Sequence, residues 1–239
     1  MLSVERASKA FGVEDGRVVA VDDVTLAILP ASYIANVGPS GSGKSTLLNM
    51  MGGLLPPDSG VVRVDGEDLY ALSDEGLHRY RRSRVGLIFQ DYNLISMLSV
   101  VENVSLPLEL DGTPRRRARS RAEEMLAKLG LEGLTGRFPA TLSGGQRQRV
   151  AVARAVVAGQ EVVLADEPTG ALDQAAAEQL MDLFDDVVDR GAAVVMVTHN
   201  EQLAARAQQI IRMADGAIIG REPADLEALP VSAAPHRRA

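Results

Sequence analysis

Cysteine and tryptophan are absent from this 239-residue chain, and aromatic residues make up only 3% of it. Without cysteine the chain can form no disulfide, no thiolate nucleophile and no zinc–thiolate site. This composition is compatible with a reducing compartment.

Long apolar runs are missing as well. The best candidates are interrupted, one by Pro30, Ser32 and Asn36 and another by Arg154. Neither approaches the roughly 18 apolar residues that cross a bilayer, and the N-terminus lacks the order of a secretory signal. We therefore expect a chain that is soluble by itself and needs a separate spanning partner for any role at a membrane.

Positive charge is in deficit, with 25 Lys and Arg against 32 Asp and Glu and a net charge of -7. Nucleic-acid-binding domains usually carry a basic excess, so we expect no nucleic acid partner. One basic run, RRRARSR at 115–121, could touch anionic lipid headgroups. Such a run is more often the solvated face of a helix, which is the interpretation we favour.

Short apolar runs such as SYIANV, VGLIFQ, EVVLAD and AAVVMVT alternate with helical patterns. This alternation predicts an α/β fold with a mostly parallel central sheet. An antiparallel β part is expected within residues 2–37 and an inserted helical subdomain over roughly 91–158. We expect one domain over residues 1–220, ending in an Asp-Gly hairpin, and a loosely ordered tail over 221–239.

A glycine-rich segment, GPSGSGKS at 38–45, matches the phosphate-loop pattern G-x-x-x-x-G-K-[ST] and lies between a predicted strand and a predicted helix. Such a loop directs backbone N–H groups at phosphate oxygens, while Lys44 reaches the β- and γ-phosphates and Ser45 ligates Mg²⁺. The sequence thus predicts a P-loop NTPase that binds ATP. The expected ATP-binding residues of this segment are Gly38, Pro39, Ser40, Gly41, Ser42, Gly43, Lys44, Ser45 and Thr46.

Two acids end a second apolar strand, VVLADE at 162–167. Beside a phosphate loop, Asp166 is expected to hold Mg²⁺ and Glu167 to orient and polarise the attacking water. Gln90 and His199 end two neighbouring predicted strands, where the first could reach the metal or the water. Taken alone, the acids could be a solvated strand end and His199 an ordinary capping residue.

Residues Ser143–Gln146 (the "tip" below) open an apolar-periodic helix with a hydroxyl, two glycines and an amide. A helix start of this kind holds anions, yet the tip contains no base, nucleophile or metal ligand. We predict that the tip clamps the γ-phosphate bound by a second copy of the chain. A two-fold dimer of this kind would enclose two nucleotides.

The segment LSGGQ at 142–146, together with GPSGSGKST, LADEP, ALD and the histidine, resembles the ATPase subunit of ATP-binding cassette (ABC) transporters over about residues 2–220. The resemblance implies a head-to-tail dimer closing on two ATP. It implies that Phe11 stacks on adenine, Gln90 contacts Mg²⁺, Asp173 crosses the interface and His199 contacts the γ-phosphate. From the residues alone, Phe11 could stack on a base or be a core aromatic.

Three further segments, FQDYNL at 89–94, SVVENVSLPLEL at 99–110 and EPTGALD at 167–173, are similar to the subgroup that serves lipoprotein release, macrolide efflux and cell division. This implies a homodimer, or a heterodimer with a similar subunit, that powers integral membrane permease subunits at the cytoplasmic face of the membrane. The alternative is a nucleotide-gated regulator that signals through a membrane partner to a cell-wall enzyme.

Overall fold

The computed structural model describes residues 1–12 and 16–223, which form two β-sheets and seven α-helices. A four-stranded antiparallel sheet has the order β2-β1-β4-β5, and a six-stranded sheet has the order β10-β9-β3-β8-β7-β6. The strands are β1 Leu2–Phe11, β2 Val18–Ile28, β3 Tyr33–Val37, β4 Ser59–Val64, β5 Glu67–Asp68, β6 Val85–Ile88, β7 Val162–Asp166, β8 Ala193–Val197, β9 Gln209–Ala214 and β10 Ala217–Pro223.

The six-stranded sheet is parallel at every junction except the β9–β10 hairpin. Its inner strands β3 and β8 are buried at every residue, as expected for a parallel sheet covered on both faces. The hairpin turns at Asp215 and Gly216, both with positive φ. The predicted fold class, with an antiparallel part before a mostly parallel sheet, is confirmed.

Helices cover both faces of this sheet, and three of them form the expected helical region. The helices are α1 Lys44–Met51, α2 Asp74–Ser83, α3 Val100–Leu110, α4 Arg115–Lys128, α5 Gly144–Val156, α6 Gln174–Asp189 and α7 Glu201–Ala204. Pro114, and not the preceding Thr113, holds the N-capping position of α4. The Thr113 N–H instead donates to Leu108 O in the turn that closes α3.

The core has two halves, because alternate residues of the central strands face opposite sides of the sheet. Ala35 packs with α3–α6 on one side, and Ile34 packs with α1 and the antiparallel sheet on the other. The helical region therefore shares its core with the sheet.

Strand β10 continues to Pro223, three residues into the predicted tail, and residues 224–239 lie outside the described residues. Within the described part of the chain, no helix is both long and apolar enough to span a membrane.

Candidate functional site

The glycine-rich loop runs from the end of β3 to the start of α1, as the sequence predicts. Gly43 shows why glycine is needed there: its φ is +95°, and an added Cβ would lie 1.9 Å from Ala20 O of β2. The Ser42 N–H donates to Pro39 O at 3.2 Å and tightens the loop. Helix α1 then begins at Lys44, with Ser45 in its first turn.

Lys44 is folded against this loop. Its ammonium donates to Gly38 O at 2.9 Å, to Pro39 O at 2.7 Å and to the Ser42 hydroxyl at 3.2 Å. Burial lowers the pKa of Lys44, whereas the Glu167 and Asp166 carboxylates act in the opposite direction. The charges of Glu167 and Asp166 therefore act on the Lys44 ammonium, which places the two acids near the phosphate loop.

Strands β7 and β8 bring Glu167 and His199 together, because the two strands are parallel to each other and their carboxyl ends are adjacent. The His199 Nδ1–H donates to Glu167 Oε1 over 2.9 Å. The Glu167 side chain is only 17% exposed against 78% for His199, and its Oε2 is buried without a partner among the described residues. Glu167 thus presents one restrained oxygen and one that can still accept a hydrogen bond.

Gln90 lies two residues beyond the end of β6, so the prediction that it ends the strand is wrong. Strand β6 pairs with β7 only from Val85 to Ile88, after which Phe89 O accepts from the Tyr92 N–H in a turn. His199 likewise follows β8 by two residues. Both side chains nevertheless leave the same sheet edge as Asp166.

The oxygen donors of Ser45, Gln90 and Asp166 are a hydroxyl, a carboxamide and a carboxylate. Such hard oxygen donors are the ligands that Mg²⁺ prefers, usually alongside water and substrate phosphates. Ser45 follows β3 and Asp166 ends β7, with only β8 between these two strands. The donor chemistry therefore fits a magnesium ion held jointly with a nucleotide.

The tip begins α5, and its first residues cap one another. The Gln146 N–H donates to the Ser143 hydroxyl oxygen at 3.2 Å, and the Ser143 N–H donates to Gln146 Oε1 at 2.9 Å. A Cβ on Gly145 would lie 3.0 Å from Ala171 O. Among the described residues, no hydrogen bond joins the tip to the phosphate loop of its own chain.

Two predicted contact residues lie at element ends. Phe11 closes β1, is paired with Val18 of β2, and is 46% exposed. Asp173 caps α6, where its Oδ1 accepts from the Ala176 N–H at 2.9 Å. Stacking by Phe11 and an interface contact by Asp173 remain predictions.

Contacts between distant segments were missed by the sequence-based reasoning. Arg154 of α5 donates to the carbonyls of Tyr92 and Asn93, which precede it by about 60 residues. Asn36, in the strand that leads to the phosphate loop, is 1% exposed. No local sequence signal could have revealed the Arg154 contacts.

Comparison with known proteins identifies the relatives of this arrangement. The profile of the family described as "ABC transporter" matches residues 21–170. The macrolide export ATP-binding/permease protein MacB of Escherichia coli O157:H7 is 43% identical over 224 residues, which cover 94% of this chain and 35% of that protein. MacB of Shigella boydii serotype 4 matches with the same identity and coverage. The chain thus spans about a third of the length of these relatives.

Solved structures of ABC transporter cassettes are also similar to this chain. The dimeric structure of MJ0796, a bacterial ABC transporter cassette, superposes with a TM-score of 0.90 at 37% identity, covering 93% of this chain and 98% of that one. A dimeric post-hydrolysis state of the same cassette, bound to ADP and Pi, gives a TM-score of 0.88.

Proposed function

Because this chain belongs to the ABC transporter family as an ATP-hydrolysing cassette, we propose that it closes as a dimer on two ATP molecules and thereby drives a membrane-spanning permease. One observation carries the proposal. The phosphate loop, the Asp166–Glu167 pair and His199 follow the parallel strands β3, β7 and β8, with Glu167 and His199 joined at 2.9 Å.

In this proposal the loop N–H groups and Lys44 bind the phosphates of ATP, from Gly38 through Thr46. Phe11, exposed at the end of β1, stacks on the adenine. Ser45, Gln90 and Asp166 hold Mg²⁺, which supplies charge neutralisation at the β- and γ-phosphates.

Hydrolysis in this proposal depends on Glu167. The Glu167 carboxylate, which is 17% exposed at the sheet edge, accepts a hydrogen bond from the attacking water and takes up its proton as the general base. His199 positions Glu167 through Oε1, and its Nε2, when it too carries a proton, can donate to the γ-phosphate.

The partner copy completes each site. We assign Ser143, Gly144, Gly145 and Gln146 to the γ-phosphate of the opposite chain and Asp173 to the interface. Two observations support this: the tip is not bonded to its own phosphate loop, and the related cassette MJ0796 was solved as a dimer. A homodimer satisfies the requirement, and a heterodimer with a similar subunit would also do so. ATP favours closure of the dimer because it binds the closed dimer more tightly than the open one. Loss of the γ-phosphate on hydrolysis removes this preference, and the dimer opens.

The permease assignment rests on the relatives, which are named as ATP-binding/permease proteins. We place the chain at the cytoplasmic face of the membrane, held there by the permease, with no nucleic acid partner. The segment after Gln90 offers an apolar docking surface, with Ile95 42% exposed and Met97 86% exposed.

The test is Glu167→Gln, which keeps the side-chain shape but removes the base. ATP turnover should fall by about 10²–10⁴-fold, the usual contribution of general-base catalysis. ATP binding should persist, and ATP-bound dimers should accumulate in size-exclusion chromatography. Glu178→Gln, the same change on the exposed face of α6, is the control and should behave as wild type. Near-normal turnover in Glu167→Gln would rule out the assignment.

A further inference from the structure

The segment between β6 and α3 follows a strained path. Tyr92 and Asn93 have φ values of 61° and 51°, so two consecutive residues with a Cβ adopt the left-handed conformation that such residues disfavour. This conformation persists only where surrounding contacts enforce it. Because Gln90 lies only two residues before Tyr92, contacts that hold Tyr92 and Asn93 also restrict the position of Gln90.

Arg154, near the end of α5, supplies one such contact. Its guanidinium donates to Asn93 O at 2.6 Å and to Tyr92 O at 3.0 Å. Burial lowers the pKa of Arg154, and no carboxylate within the described part of the chain forms an ion pair with it. The two carbonyls are therefore its counterpart, and the pairing fixes the segment to the helix.

Arg147, in the first two turns of α5, supplies the second contact. Seven residues separate Arg147 from Arg154, which puts both on one face of the helix about 10 Å apart. The Arg147 guanidinium carbon lies 5.3 Å from the centroid of the Tyr92 ring, within cation–π range. The same guanidinium donates to Leu142 O at 2.6 Å, directly before the tip.

Tyr92 also reaches the tip itself, since its hydroxyl oxygen lies 3.4 Å from the position of a Cβ on Gly144. We infer that Tyr92 is a positioning residue that joins the Gln90 segment and the α5 tip into one rigid unit. The inference rests on the proposed function of Gln90 and the tip. A displacement of Gln90 at its own nucleotide then moves the clamp that serves the nucleotide of the partner copy.

The test compares Tyr92→Gly with Asn93→Gly. Both remove a Cβ from a left-handed position, and both keep the backbone carbonyls that accept from Arg154, but only Tyr92→Gly removes the ring. We expect nucleotide affinity, measured with a fluorescent ATP analogue, to stay within about twofold in both variants. Turnover should fall about 10- to 100-fold in Tyr92→Gly alone, since small misplacements of positioning groups cost that much. A merely structural role would instead lower the melting temperature.

Two further measurements complete the test: the turnover of a conservative variant of Tyr92 and the hydrogen exchange of backbone amides at the tip. The link that the inference depends on is the ring contact to Arg147, which in turn donates to Leu142 O before the tip. Tyr92→Phe keeps that contact and should retain turnover within about threefold. Hydrogen exchange of the isolated chain without nucleotide should quicken over Ser143–Arg147 in Tyr92→Gly but not in Asn93→Gly. Equal exchange and equal turnover in the two glycine variants would overturn the inference. If wild type fails to dimerise on ATP, the proposed function fails, while the exchange comparison still decides on the rigid unit.

Discussion

Asn36 is the residue whose replacement should most clearly stabilise the protein. It lies in β3 between Val197 of β8 and Ile211 of β9, and it is only 1% exposed. Its Nδ2 donates to the sulfur of Met213 at 3.1 Å, a weak acceptor. Its Oδ1 has no partner among the described residues. Asn36→Leu substitutes an apolar side chain of the same branching at this position.

The size of the effect follows from these contacts. A buried carbonyl oxygen without a donor costs about 1–3 kcal/mol, and burying a leucine side chain contributes about 1.5–3 kcal/mol. Imperfect packing and the lost N–H···S contact offset part of this gain. We expect a net increase of about 1–3 kcal/mol in the free energy of unfolding. For a chain of this size that is a rise of roughly 2–12 °C in melting temperature.

Urea unfolding without nucleotide is the assay, with the slope m expected to stay constant while the midpoint rises. Thr198→Val is the matched control, because Thr198 is 0% exposed but its hydroxyl accepts from the Asn200 N–H at 3.1 Å. That variant should lose about 1 kcal/mol. If Asn36→Leu left stability unchanged or lower with a normal m, the amide of Asn36 would have to be satisfied by an ordered water, and the reasoning would be wrong.

Two further predictions concern the nucleotide. Burial lowers the pKa of Lys44, and only its protonated form binds phosphate strongly. ATP affinity should therefore fall, as pH rises, earlier than the ordinary lysine pKa of about 10.4 implies. A titration with a fluorescent ATP analogue measures this, and a flat profile beyond about pH 10 would contradict it. Secondly, inactive Ser143→Arg and Lys44→Ala chains, mixed equally, should recover about a quarter of wild-type turnover, because half the dimers are mixed and each has one intact site. Inactivity at every mixing ratio would argue against shared sites.

The parts of the site that depend on contiguous sequence could be predicted. The phosphate loop at Gly38–Ser45 forms between a strand and a helix, and the local sequence predicts both of these elements. Asp166 and Glu167 follow from the rule that parallel strands meet ligands at their carboxyl ends. That these two acids lie near His199 could also be predicted, on the further assumption that β7 and β8 belong to the same sheet.

Element boundaries were less predictable, because tertiary contacts set them. β6 ends at Ile88, although Phe89 and Gln90 continue its pattern. The chain turns there, with the Tyr92 N–H donating to Phe89 O. Arg154, 61 residues from Asn93, donates to the carbonyl of Asn93 just beyond the turn. Similarly, Thr113 has the side chain of a helix cap, but its N–H is already used in the turn that closes α3.

Glu167 illustrates the same limit at the centre of the site. Its φ of 47° is left-handed, which costs of order 1–3 kcal/mol for a residue with a Cβ. The structure holds it there through its N–H, which donates to Val197 O at 3.0 Å, and through Gly170, whose N–H donates to Glu167 O at 3.2 Å. Residues that break a local conformational preference while their neighbours enforce it are expected where geometry matters more than stability. The backbone strain at Glu167, the buried and unpartnered Oε2, and the bond to His199 are therefore independent observations that point to the same carboxylate.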